Sequence, residues 1–216
     1  RLLANFENLV LTGPLAISGT GNELANDITG NGEANTLVGA RGIDTLHGGD
    51  GADTLDGGAE GDFLYGEAGN DAFRAGVGAD LFDGGADTDT VNYATGTSTV
   101  VYLDGSGVNA AAAAGDTLVG VENLVGSLTG VDVFVGDANA NRLVGNGGND
   151  RLTGRAGNDI LEGGAGNDRL VGEQGLDAMT GGADADTFVF NLAPAAGGLD
   201  RITDFEAGID KLEIDA

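Results

Sequence analysis

The sequence predicts an all-β chain whose short strands stack into a solenoid. Three observations predict it: a strict period of nine residues, an apolar residue at one fixed place in each period, and glycine at 42 of 216 positions. That glycine content is well above the ~7% of ordinary proteins and suits a backbone that turns often.

The period covers residues 21–92 as eight units and residues 127–189 as seven. Residues 163–171 read G-G-A-G-N-D-R-L-V, residues 48–56 G-G-D-G-A-D-T-L-D, and residues 154–162 G-R-A-G-N-D-I-L-E. Position eight is apolar in every unit: Ile28, Leu37, Leu46, Leu55, Leu64, Phe73, Phe82 and Val91, then Phe134, Leu143, Leu152, Leu161, Leu170, Met179 and Phe188. In a helix turning about 100° per residue, a step of nine rotates a side chain by half a turn, so these residues would form no seam. An extended segment of roughly three residues keeps position eight on one side, and stacked units then share an apolar stripe.

Position six holds Asp44, Asp53, Asp62, Asp71, Asp80, Asp89, Asp132, Asp150, Asp159, Asp168, Asp177 and Asp186, with Asn26, Asn35 and Asn141 in the other three units. Asp and Asn both suit turns, since they tolerate positive φ and bond their own backbone, and a metal-free glycine-rich solenoid would use them so. A carboxylate repeated in phase points further. If two nonapeptides make one turn, residues 18 apart stack about 4.8 Å from each other, and like charges that close call for a cation. Hard oxygen ligands without His or Cys select Ca²⁺ over Mg²⁺, which keeps its waters and a stricter octahedron. Glycine at position one in thirteen of fifteen units, and often at position four, permits positive-φ turns that aim carbonyls at an ion.

The charge fits this reading and excludes others. Thirty-five acids, 25 of them Asp, against nine Lys plus Arg give a net charge of −26, which repels nucleic acid and anionic membrane surfaces. No apolar run is long enough to insert in a membrane, and zero cysteine removes disulfides and sulfur-ligated zinc. The start at Arg1, without Met or a signal-peptide pattern, reads as a piece of a longer parent chain, expected to be monomeric as a fragment.

At these residues the sequence closely resembles the RTX, or haemolysin-type calcium-binding, repeat G-G-x-G-x-D-x-U-x, a recognised β-helix nonapeptide. The resemblance implies a parallel β-roll in two arrays with β-strand caps, with calcium ions between stacked loops held by position-six aspartates and loop carbonyls. The ligand pairs it implies are Asp44 with Asp62, Asp53 with Asp71, Asp62 with Asp80, Asp71 with Asp89, Asp132 with Asp150, Asp150 with Asp168, Asp159 with Asp177, and Asp168 with Asp186. Sites at Asn26, Asn35 and Asn141 are expected to be loose or empty, because an amide lacks the charge. Leu24, Glu33, Glu60 and Asn139 also replace the position-four glycine there or nearby, and Asp87 and Asp184 mark distinct terminal loops.

The expected organisation follows: capping strands over 1–20, a first array over 21–92, a connecting and capping segment over 93–126, a second array over 127–189, and a C-terminal cap over 190–216. Residues 6–10, F-E-N-L-V, echo residues 121–125, V-E-N-L-V, and both read as strands that cover the start of a roll. Residues 98–103 read as a strand and the alanines of 110–114 as a loop or short helix. Alternation in 187–190, 200–205 and 208–212 predicts a strand cap, in which Asp200, Asp204 and Asp210 either bind another ion or sit in solvated turns.

Other chemistry finds little purchase. His47 stands alone and no H-E-x-x-H occurs, so a zinc protease centre is absent and His47 belongs on a solvated strand face. No G-x-S-x-G elbow is present, the only Lys is Lys211, far from any glycine-rich loop, and residues 137–148 depart from a calcium-binding EF-hand loop at Arg142 and Gly148. The chain therefore reads as no enzyme. By resemblance it is a calcium-binding module of a large secreted bacterial protein, exported by type I secretion, with a structural or adhesin role outside the cell or at its surface. The alternative is the C-terminal module of a secreted protease, lipase or alginate epimerase whose catalytic domain lies elsewhere. A surface for ice or polysaccharide ranks last, since positions seven and nine show no regular ladder.

Overall fold

The computed structural model describes residues 1–191 and 199–215, and residues 192–198 and 216 of the expected C-terminal cap lie outside the described residues. Among the described residues every regular element is a strand and none is a helix. Units alternate between two sheets. In one, Ile28 pairs with Leu46, Leu46 with Leu64 and Leu64 with Phe82. In the other, Leu37 pairs with Leu55, Leu55 with Phe73 and Phe73 with Val91. Every step is 18 residues and parallel, so two nonapeptides make one turn of a β-roll.

All fifteen position-eight side chains are buried, and they form the core between the facing sheets. Phe73 and Phe82, from opposite sheets, meet edge to face with ring centroids 5.7 Å apart. The strands are longer than the expected three residues. Thr36–Arg41, Thr54–Ala59 and their counterparts run six, because the ladder continues into the next unit with Ala40 opposite Gly58 and Arg41 opposite Ala59.

The chain forms two compact units. The first comprises Arg1–Asn92 with Ala113–Val121. Its strand Asn8–Val10 starts one sheet by pairing with Asp27–Thr29, Leu9 opposite Ile28. Thr117–Val119 ends the same sheet, with Leu118 opposite Phe82. The second unit comprises Tyr93–Ala112 with Glu122–Ala216. Asn123–Val125 starts one of its sheets, Leu124 opposite Leu143, and Thr99–Tyr102 pairs with Val133–Val135 in the other, Val101 opposite Phe134.

The alanine run is neither loop nor helix at its start. Ala110–Ala111 is a short strand antiparallel to Thr99–Tyr102, because Thr99 and Val100 offer it a free edge, while Ala113 is buried in the first unit. At the C-terminal side, Lys211–Asp215 pairs with Thr187–Asn191 and Arg201–Ile202 with Ala178–Met179. Phe205 rests on Phe188, with ring centroids 6.2 Å apart.

Candidate metal centre

Positions four to six link successive long strands, and in aspartate units such as those of Asp53 and Asp168 the backbone turns left-handed at positions two and four. Position two keeps positive φ whether it is Gly164 at 114° or Arg155 at 81°. Position four does so at Gly166 with 121° and equally at Asp87 with 76° and Asp184 with 80°, so the two terminal loops share the backbone of the others. These turns direct position six inward, where each of the twelve aspartates is at most 4% exposed.

The structure brings all eight expected pairs together through one repeated contact. In each pair the Oδ1 of the later aspartate accepts the backbone N–H of the earlier one. Asp44 thus donates to Asp62 at 2.8 Å, Asp53 to Asp71 at 2.8 Å, Asp62 to Asp80 at 2.8 Å and Asp71 to Asp89 at 2.8 Å. In the second unit Asp132 donates to Asp150 at 2.7 Å, Asp150 to Asp168 at 2.7 Å, Asp159 to Asp177 at 2.8 Å and Asp168 to Asp186 at 2.9 Å.

The second oxygen has no such partner. Oδ2 of Asp44, Asp53, Asp62, Asp71, Asp150, Asp159, Asp168, Asp177 and Asp186 is buried without a hydrogen-bond donor. A buried anionic oxygen in that condition is costly unless a proton or cation meets it. Burial pushes these groups up: Asp62, Asp71, Asp159 and Asp168 rise to about 7 from 3.8, with stacked carboxylates adding to the desolvation. Asp44 and Asp150 rise to about 6 for the same leading reason.

Position one explains its glycine here. The expectation of positive-φ turns at that position is corrected, since Gly39, Gly48, Gly145 and Gly163 are not left-handed. A side chain is excluded instead by oxygen. A Cβ on Gly163 would fall against Asp168 Oδ2 and lie 2.6 Å from the carbonyl oxygen of Gly181. Gly39 meets Asp44 Oδ2 and the Gly57 carbonyl oxygen, at 2.6 Å, in the same way. Gly163→Ala should therefore destabilise the second unit by about 3 kcal/mol or more, because backbone rather than a flexible side chain has to move. A denaturant midpoint equal to wild type would contradict this.

The donor set fits a hard divalent cation: carboxylate oxygens without a hydrogen-bond donor beside backbone carbonyls, with no nitrogen or sulfur ligand nearby. Among the described residues no three His, Cys, Asp or Glu side chains converge, so a cation between two stacked aspartates would draw its remaining ligands from loop carbonyls, as Ca²⁺ does readily.

Units with Asn are built differently. Asn26, Asn35 and Asn141 turn Oδ1 to the backbone N–H four residues earlier, of Asn22, Asn31 and Asp137. Their amide N–H groups donate to Phe6 O, Asn31 Oδ1 and Glu122 O. The amide thus supplies as a donor what the carboxylate lacks, and these loops close on themselves. Asp132 departs too: Ser127, standing in place of glycine, donates from its N–H and hydroxyl to Oδ2 at 2.7 and 2.9 Å.

Three aspartates outside the two arrays reach equivalent places. Asp116, Asp200 and Asp210 accept the N–H groups of Asp80, Asp177 and Asp186. Of these, Asp200 and Asp210 are candidates from the strand cap although neither keeps the spacing of 18, and Asp116, twice 18 residues from Asp80, is in phase but separated from its row by the connecting segment. His47 lies on the outer face, stacked on Tyr65 with ring centroids 4.9 Å apart and bonded to Glu67 at 3.0 Å.

A family model for the RTX calcium-binding nonapeptide repeat, four copies long, matches residues 29–64, 57–91, 65–100, 128–161 and 153–188, together more than half of the chain. The chain belongs to this RTX family. The matched segments carry the position-six aspartates of both units, so the RTX repeats and the buried carboxylate rows coincide. No curated protein matches the chain.

Proposed function

We propose that this RTX chain is a calcium-folded module of a larger exported protein, with a structural or adhesive role outside the cell, and that the position-six aspartates are its ligands. The observation that supports it most is the row of buried Oδ2 atoms without a donor, repeated every turn. Without calcium the stacked carboxylates repel and the glycine-rich backbone is expensive to order. A cation between turns removes both obstacles in one binding event, and each turn presents its neighbour with a half-built site.

Extracellular calcium modules bind with Kd around 10⁻⁴ to 10⁻³ M. At calcium ten times Kd, each site adds about 1.4 kcal/mol, whereas cytosolic calcium leaves such sites nearly empty and the chain unfolded. That difference suits passage through a type I secretion channel followed by folding outside. Circular dichroism of the purified chain tests it: disordered in chelator at neutral pH, β-rich in millimolar Ca²⁺, and unchanged by equal Mg²⁺. A strand spectrum that is the same in chelator and in calcium would overturn the reading.

A further inference from the structure

The segment that closes the second unit reproduces the carboxylate row without the repeat. Asp200 Oδ1 accepts the N–H of Asp177 at 3.2 Å and Asp210 Oδ1 that of Asp186 at 3.1 Å, over 23 and 24 residues. The backbone follows suit. Arg201 N–H donates to Asp177 O at 2.7 Å and Lys211 N–H to Asp186 O at 2.8 Å, as Thr187 N–H does to Asp168 O at 2.8 Å inside the array. Asp200 and Asp210 thus stand where a next position six would be.

The array ends short of partners on this side. Asp177 and Asp186 are the last position-six residues, 2% and 1% exposed, and each keeps a buried Oδ2 with no donor. Charge makes the docking harder. Residues 199–215 carry six acids against Arg201 and Lys211, yet they settle on Asp177 and Asp186. Asp200 sets a like charge beside the carboxylate of Asp177, and Asp210 and Asp204 do so beside that of Asp186. Strand pairing of Ile202 with Met179 and the ring contact of Phe205 with Phe188 set the position without relieving this repulsion.

We propose that Asp177 with Asp200, and Asp186 with Asp210, hold two further calcium ions beyond the nonapeptides, and that these ions fasten the closing segment to the RTX array. The proposal rests on the reading of array aspartates as calcium ligands. Asp210 Oδ2 also accepts Glu206 N–H at 2.7 Å, which leaves lone pairs on both oxygens for an ion. Asp204 is a built-in control: its oxygens accept Gly181 N–H at 3.0 Å and Gly182 N–H at 2.8 Å rather than the N–H of a position-six residue, so it stands outside the carboxylate row.

The test counts calcium per chain after equilibrium dialysis and follows hydrogen exchange of residues 199–215 and of the array. Asn keeps the Oδ1 acceptor and removes the charge. Asp200→Asn with Asp210→Asn should bind two fewer ions than wild type, and its closing segment should exchange faster in calcium while array peptides stay protected. Each single variant should lose one ion, and Asp204→Asn none. A double variant with the wild-type ion count and a protected array overturns the proposal. So do single variants with the wild-type count, should the double variant lose array protection. A wild-type chain that binds no calcium at all overturns the underlying reading as well, and is told apart by that result alone.

Discussion

In chelator, the chain is expected to keep its strand structure near pH 5 and to lose it as the pH passes about 7. The cause is the set of buried position-six carboxylates. Asp62, Asp71, Asp159 and Asp168 titrate at about 7 in the ion-free fold, against 3.8 for an unburied aspartate. A folded-state value raised above the unfolded one means that the folded chain binds more protons between them. The stability these groups contribute is therefore fully present below about pH 4 and is lost as the pH rises through the folded values. In acid, protons do locally what calcium does at neutral pH, and the net charge of −26 is reduced at the same time.

With calcium the trend reverses. Ligand carboxylates must be deprotonated, so calcium and protons compete, and the increment from calcium grows from pH 5 to pH 8. Melting curves by circular dichroism at several pH values, each in chelator and in millimolar calcium, give both slopes. An ion-free melting temperature that rises between about pH 5 and pH 8 would mean that the buried carboxylates are satisfied by something other than protons or ions.

How far the sequence carries is clearest at particular residues. The spacing of nine at Leu37, Leu46 and Leu55 is enough to exclude a helix and to place alternate units in opposite sheets, because strand stacking repeats one geometry each turn. The aspartate rows come with it, since any residue in phase with the core is stacked with its copies. Contacts that leave the phase are not legible. Thr99–Tyr102 has the alternation of any strand, and only tertiary packing sends it 33 residues on to Val133–Val135, whereas Thr117–Val119 pairs with Leu81–Ala86 in phase, at 36 residues. Asp200 and Asp210 reach the carboxylate rows by chain paths of 23 and 24 residues, lengths no periodic search recovers, whereas Asp116 keeps the phase at 36 residues from Asp80 but lies beyond the last unit of its array. The glycine of position one was visible, but its cause was not: it is a steric answer to a carboxylate whose position only the folded coil reveals.

Replacing Asp168 by Asn should change stability in opposite directions with and without calcium. Asp168 sits mid-row, its Oδ1 on the N–H of Asp150 and its own N–H on Asp186 Oδ1, and Asn preserves both contacts. In chelator at neutral pH the substitution removes a buried charge raised from 3.8 to about 7 by burial and by Asp150, Asp186 and Asp184. At 1.36 kcal/mol per unit that charge costs about 4 kcal/mol, and an incompletely bonded amide gives back ~1–3, so the ion-free variant should be the more folded by ~1–3 kcal/mol. In millimolar calcium the same change weakens the sites toward Asp150 and toward Asp186, each contributing about 1.4 kcal/mol at ten times Kd; set against the ion-free gain, that loss should leave the variant the less stable by up to ~2 kcal/mol. Strand signal in chelator and denaturant midpoint in calcium measure the two signs. If Asp168 were only a turn-forming acceptor, Asn would be nearly neutral in both media; a variant weakened equally in both would place its role in packing, and either result would detach the aspartate rows from calcium.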